Sequence, residues 1–190
     1  MNAIELLKND HKKVRALLAE LEATTSRALK TRAALLDSIA RELEIHTSIE
    51  EEIFYPAFKA AGQNRDDDKM YFEALEQHRA AGEMVLPDLL ATDPGSEQFS
   101  GRAKVLKKLV EHHAGEEEKE MFPRARQLFD AGQLRALGEA MAQRKIELAA
   151  NPDSKAAKAA NRMIGAVVAA ISPMDDDRSG NPPGSGPARH

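Results

Sequence analysis

The sequence predicts an all-α protein, a four-helix bundle with additional C-terminal helices, on three observations. Ala, Leu, Glu, Lys and Arg dominate the 190 residues, with charged residues at 31% and aromatics at only 4%. That is the profile of helices packed on helices, since strands draw on Val, Ile, Thr and aromatics. Apolar residues recur at alternating spacings of three and four along four long segments, the stripe of a helix that buries one face. The second pair of segments also repeats the first pair at an offset of 67 residues.

In the first segment the stripe is Ile4, Leu7, His11, Val14, Leu18 and Leu21, so a histidine occupies the buried face. The second runs from about Lys30 to Ala61, stops at Gly62, and carries Leu35, Ile39, Leu43, His46, Glu50 and Ile53. After the polar turn GQNRDDD, the third reads Tyr71, Leu75, His78, Val85 and Leu89 and ends at TDPGS. The fourth, from about Glu97 to Phe129, aligns Leu106, Val110, His113, Glu117 and Met121. Beyond it, Gln133 to Ala150 and Ser154 to Ile171 read as two further helices, packed against the bundle or forming a dimer surface. From Pro173 onward the Pro, Gly and Asp content predicts a disordered tail. The expected organisation is a bundle at 1–130 made of pseudo-repeats 1–62 and 67–130, a helical extension at 131–172 and a tail at 173–190.

The repeat superimposes His11 on His78, His46 on His113, Glu50 on Glu117, Glu51 on Glu118 and Pro56 on Pro123. Each copy is a helical hairpin holding a lone histidine and then, 35 residues later, a histidine followed by glutamate four residues on. Spacing of four puts that pair one above the other on a single helix face. Two antiparallel hairpins closing into a bundle bring four histidines and two glutamates together across the core. Burying them without partners costs roughly 1–3 kcal/mol for each unsatisfied group, and metal coordination removes that cost. With no cysteine in the chain, any metal sits on nitrogen and oxygen. Imidazole with carboxylate favours zinc, iron, copper or manganese over calcium or magnesium, and two carboxylates able to bridge favour a dinuclear centre. Iron is the metal expected.

This pattern, His…HisxxxGluGlu…aromatic-Pro twice over, resembles the hemerythrin-like cation-binding family across about Ile4 to Phe129. The resemblance implies an up-down-up-down bundle holding two non-haem iron ions, oxo- or hydroxo-bridged. In it His11 and His46 hold one iron, His78 and His113 the other, and Glu50 and Glu117 bridge them. It also implies a small diatomic or peroxide ligand: dioxygen, hydrogen peroxide or nitric oxide, with catalase-like turnover among the roles of bacterial members. Two departures from the oxygen-carrying members matter. Ala74 stands where they have a further histidine, and Glu117 lies four residues after His113 where they have Asp at five. Fewer nitrogen ligands argue against reversible oxygen carriage. A non-enzymatic sensor or buffer of iron or oxygen is the alternative, and a structural zinc or manganese site a third.

Other polar residues have plainer readings. Glu51, Glu52, Glu116 and Glu118 are expected as solvated acids, with Glu51 also a candidate extra ligand or hydrogen-bond acceptor. Asp10, Glu76 and Arg79 are expected as surface charge. His112 points about 100° away from His113 and is expected near the surface; paired with Glu116, it is the alternative register. Tyr55, Tyr71, Phe54 and Phe122 are expected in the core, with a hydrogen bond to the centre as the alternative for either tyrosine. Pro56 and Pro123 are expected to kink or end their helices.

A formal charge of −4 and pI near 5.9 offer no basic field for phosphates, so no nucleic-acid partner is expected. No apolar run is long enough to span a bilayer and the N-terminus lacks the pattern of a secretory signal. The expectation is a cytoplasmic monomer or homodimer without a membrane partner.

Overall fold

The computed structural model describes residues 1–150; the helix expected at Ser154 to Ile171 and the tail lie outside the described residues. Four rods form the bundle. The first, α1, is Ala3–Ala23. The second, α2 (residues 29–61), joins Leu29–Ile49, Glu50–Phe54 and Tyr55–Ala61 without a break. The third, α3 (residues 65–90), joins Arg65–Arg79, Ala80–Val85 and Leu86–Leu90. The fourth, α4 (residues 97–128), joins Glu97–Glu116, Glu117–Met121 and Phe122–Leu128. A fifth helix, α5, follows at Ala131–Ala150.

Four of the five starts among the described residues are set by side-chain caps, the exception being α2, which follows Ala28. Asn2 and Glu5 form a reciprocal capping box on α1, Asn64 accepts from the amides of Asp66 and Asp67 at α3, and Ser96 accepts from Phe99 at α4. Asp130 and Gln133 bond each other's backbone amides at the start of α5. These side chains satisfy donors that a helix start leaves free.

The core divides into two apolar clusters. One holds Val14, Leu18, Leu36, Ile39, Leu106 and Val110. The other holds Ile4, Leu7, Ile49, Phe54, Phe58 and Phe122. Along α1 the chain passes from Leu7 in the second cluster through His11 to Val14 in the first, and α2 passes from Leu43 through His46 to Ile49 in reverse. The polar residues of the stripes therefore form one layer between two greasy halves. At the far end of the first cluster, buried Arg32 ties two turns together, donating to Thr24, to the Pro94 carbonyl and to Ser100.

Neither α2 nor α4 stops at its proline. In each, a widened π-helical turn precedes it: the Tyr55 amide reaches back five residues to the Glu50 carbonyl, and Phe122 to Glu117. The same happens in α3, where Leu86 bonds Ala81 ahead of Pro87. A proline lacks the N–H that α-helical register needs and its ring crowds the carbonyl four residues back. Widening the preceding turn accommodates both defects.

Helix α5 packs along α1 and α2, burying Leu134 and Met141 in the second cluster. Gly138 faces the chain start so closely that a Cβ there would lie 2.6 Å from the Met1 carbonyl oxygen. Any side chain would push the helix off.

Candidate metal centre

The polar layer brings His11, His46, Glu50, His78, His113 and Glu117 together, all buried. Their inner atoms are close: Nε2 of His11 lies 3.1 Å from Glu117 Oε2, and Nε2 of His46 lies 3.2 Å from Glu50 Oε2. His78 Nε2 is 3.3 Å from the same Glu50 oxygen, and His113 Nε2 is 3.5 Å from Glu117 Oε2. Two overlapping groups of donor atoms result, each within 4.8 Å throughout: His11, His46, Glu50 and Glu117, and then Glu50, His78 and His113. Glu50 belongs to both.

The outer ring nitrogens determine what the inner ones present. Nδ1 of His11 lies 2.9 Å from Glu118 Oε1, Nδ1 of His78 lies 2.8 Å from Glu51 Oε1, and Nδ1 of His113 lies 2.8 Å from Gln77 Oε1. A carboxylate or amide oxygen only accepts, so these Nδ1 atoms carry the proton. Each Nε2 is then the nitrogen turned inward and left for a metal, as ligation requires; on His78 it holds a second proton, which a metal would displace. His46 has Asp10 behind it at 3.7 Å.

Hydrogen bonding alone leaves the layer incomplete. Among the described residues, His11 Nε2, both Glu50 oxygens and Glu117 Oε2 are buried without a hydrogen bond; the 3.1 Å approach of His11 to Glu117 is a contact without hydrogen-bond alignment. Burial, and then the charge of Glu117, raise the Glu50 carboxyl above its ordinary pKa. Burial opposes ionisation of Glu117 too, but His113 and His11 outweigh it and hold that carboxylate low. Burial disfavours the charged form of His78, yet the nearby Glu50 carboxylate and the bond to Glu51 lift it to about 9. His113 is pulled by burial down to about 3. Protons are thus shared unevenly where cations would serve the same donor atoms evenly, and a cation that bound would displace them.

The two halves differ where the repeat differs. Tyr55 corresponds to Phe122 and Asp10 to Gln77. The buried Tyr55 hydroxyl donates to Glu117 Oε1 at 2.9 Å and lies 3.2 Å from His78 Nε2, whereas Phe122 stacks on His11 with ring centroids 5.7 Å apart. Burial, with Glu50 and Glu117 nearby, raises the Tyr55 pKa well above its ordinary value, so the hydroxyl keeps its proton. Asp10 pairs with Lys145 of α5, and Gln77 donates to Glu116.

Among single residues, Asp10, Glu116 and Glu118 depart from expectation, while Glu51 and His112 do not. Asp10 is buried, not surface charge. Glu118 and Glu116 are partly buried and bonded to His11 and Gln77. Glu51 is exposed and, as one of its two readings had it, is the acceptor for His78. His112 is exposed and pairs with Glu116, 3.1 Å away, outside the cluster. Gln77 and Lys145 carried no sequence signal of a role. Gln77 could have been suspected only as the repeat partner of Asp10, each immediately preceding a lone histidine.

The chain belongs to the hemerythrin HHE cation-binding domain family, whose model matches residues 2–125. It is 30% identical over 154 residues to Rv2633c of Mycobacterium tuberculosis, a match spanning 80% of this chain and 90% of that one. The crystal structure of a hemerythrin HHE cation-binding domain-containing protein from Mycobacterium kansasii, described as an Rv2633c homolog, superimposes with a TM-score of 0.70 at 29% identity. It covers 86% of this chain and 99% of its own. A DNA nickase of Nostoc is 27% identical over 122 residues, a third (33%) of that protein's length. No helix among the described residues is long and apolar enough to cross a membrane.

Proposed function

We propose that the layer holds two iron ions and that the protein reacts there with hydrogen peroxide or dioxygen, peroxide turnover being the preferred activity. His11 and His46 hold one ion, His78 and His113 the other, and Glu50 and Glu117 span both. The observation that carries this reading is the convergence of three imidazoles, each held at Nδ1 with Nε2 turned inward, on buried carboxylate oxygens that lack hydrogen bonds. A bound iron pair supplies two-electron exchange with an oxygen ligand. The protein's part is to exclude water, to fix each imidazole through its Nδ1 partner, and to keep a proton on Tyr55 Oη beside Glu117.

Metal analysis with an optical spectrum, before and after peroxide, tests the reading. Iron near two per chain, near-ultraviolet charge-transfer absorption and oxygen evolution are expected, with Glu50→Ala losing metal and all three signals together. A colourless protein with zinc as its only metal would overturn the redox proposal.

One observation favours a second reading, in which the protein senses iron or oxygen. Lys145 of α5 pairs with Asp10, and Asp10 stands behind His46, so occupancy of that half is coupled to how α5 sits. Iron-dependent hydrogen exchange across residues 131–150, without peroxide turnover, would favour it.

A further inference from the structure

Beside the histidine layer lies a cavity of about 830 Å³, with walls from all four rods. A single water occupies about 30 Å³ in the liquid, and dioxygen or peroxide is of that order. The cavity is far larger than either needs, and it falls within the ~300–1,000 Å³ typical of sites for organic molecules.

Its composition changes along its length. The inner wall is apolar, formed by Val14, Ala40, Leu43, Leu86, Leu109 and Val110, and all four clustered histidines line it as well. The mouth carries Glu44, Thr47, Glu76, Arg79 and Glu83, with Arg79 engaged by Glu76. Glu51 and Glu83 lie on the same lining, so beyond the Glu76–Arg79 pair the rim is acidic, which opposes carboxylates and phosphates. The space is kept open where α3 widens. Ala80–Val85 buries no side chain, Ala81 and Gly82 line the cavity, and a Cβ on Gly82 would meet nothing within 4 Å. Small residues thus stand where a bundle helix would ordinarily send large ones inward to fill the core.

We infer that this cavity binds an uncharged, mainly apolar organic molecule, with a small polar end directed at the histidine layer. The direction of that end rests on the iron reading; the binding of the apolar body does not. The site of oxygen chemistry would then serve an organic substrate or effector and not a diatomic or peroxide alone.

Two dyes sharing one frame test this on the full chain: neutral N-phenyl-1-naphthylamine and its sulfonated analogue 8-anilinonaphthalene-1-sulfonate. Saturable one-to-one fluorescence enhancement by the neutral dye is expected, with the sulfonate at least roughly tenfold weaker, about 1.4 kcal/mol. Ala81→Trp should fill the cavity and weaken the neutral dye by a similar factor while leaving bound iron at the wild-type level. Ala81→Leu is a milder version should the tryptophan disturb folding. No saturable binding, equal binding of both dyes, or binding unmoved by either substitution overturns the inference. Metal-free protein should still bind the neutral dye, so failure of iron to load would leave this result standing and count against the proposed function alone.

Discussion

Tyr55 owes its place to a local irregularity. In an α-helix, five residues carry a side chain roughly 140° around the axis from its starting face, so Tyr55 would turn away from Glu50. The widened turn that closes Tyr55 on the Glu50 carbonyl brings it back over the same face, within reach of Glu117 and His78. Tyr55→Phe should destabilise the metal-free protein by about 1–3 kcal/mol, because Glu117 Oε1 loses its buried donor, while iron content stays unchanged. Urea denaturation and metal analysis check the two halves of that statement. A second residue, Asp67, ties α3 to α4 through Arg124. The Arg124 hydrogen bond, aided by backbone amides, holds its carboxyl down at about 2. A depressed folded-state value stabilises the protein above the ordinary pKa near 4, and that contribution is lost as pH falls from about 4 towards 2. Wild type should therefore lose stability more steeply across that window than Asp67→Asn, measured by urea midpoints at pH 5, 3 and 2.

Among the helices, α5 reaches the metal layer without contributing a ligand. Leu134 and Met141 anchor it, Gly138 permits close approach to the chain start, and Arg144 and Lys145 engage Glu52 and Asp10. Partners that orient metal-binding histidines typically change affinity by roughly 10–100-fold when removed. Asp10→Asn should weaken one of the two ions by that order, and Lys145→Met should act in the same direction more weakly, with the second ion unaffected in both. Titration against a chromophoric chelator resolves the two affinities. Equal weakening of both ions would show that the halves are not independent. The Asp10 and Gln77 difference, with Tyr55 facing Phe122, makes the two positions chemically unlike within a nearly two-fold frame.

For the molecule as a whole, the polar layer sits between two apolar clusters and depends on what fills it. Ligand bound only to the folded state stabilises it by about 4 kcal/mol at a thousandfold excess over Kd. For a chain of this size, each kcal/mol moves Tm by roughly 2–4 °C. Iron-loaded protein should therefore melt on the order of 10 °C above protein stripped with a chelator, by differential scanning calorimetry, with Tm rising as free metal is raised. A Tm independent of metal would mean that the layer is stable as a hydrogen-bonded core.

The helical periods, the repeat and the spacing of His11, His46, Glu50, His78, His113 and Glu117 are local properties of the chain. They were sufficient to read the bundle and the residues that share its buried layer, because a helix converts spacing directly into direction. The partners behind the histidines were not legible in the same way. Asp10, Gln77, Glu116 and Glu118 look like solvent-facing polar residues in sequence, and their burial follows from how far the rods approach one another. The seat of Lys145 on Asp10 and the cavity beside the layer likewise exist only once separate helices pack. Periodicity specifies which face of a rod is buried; only packing specifies what that face meets.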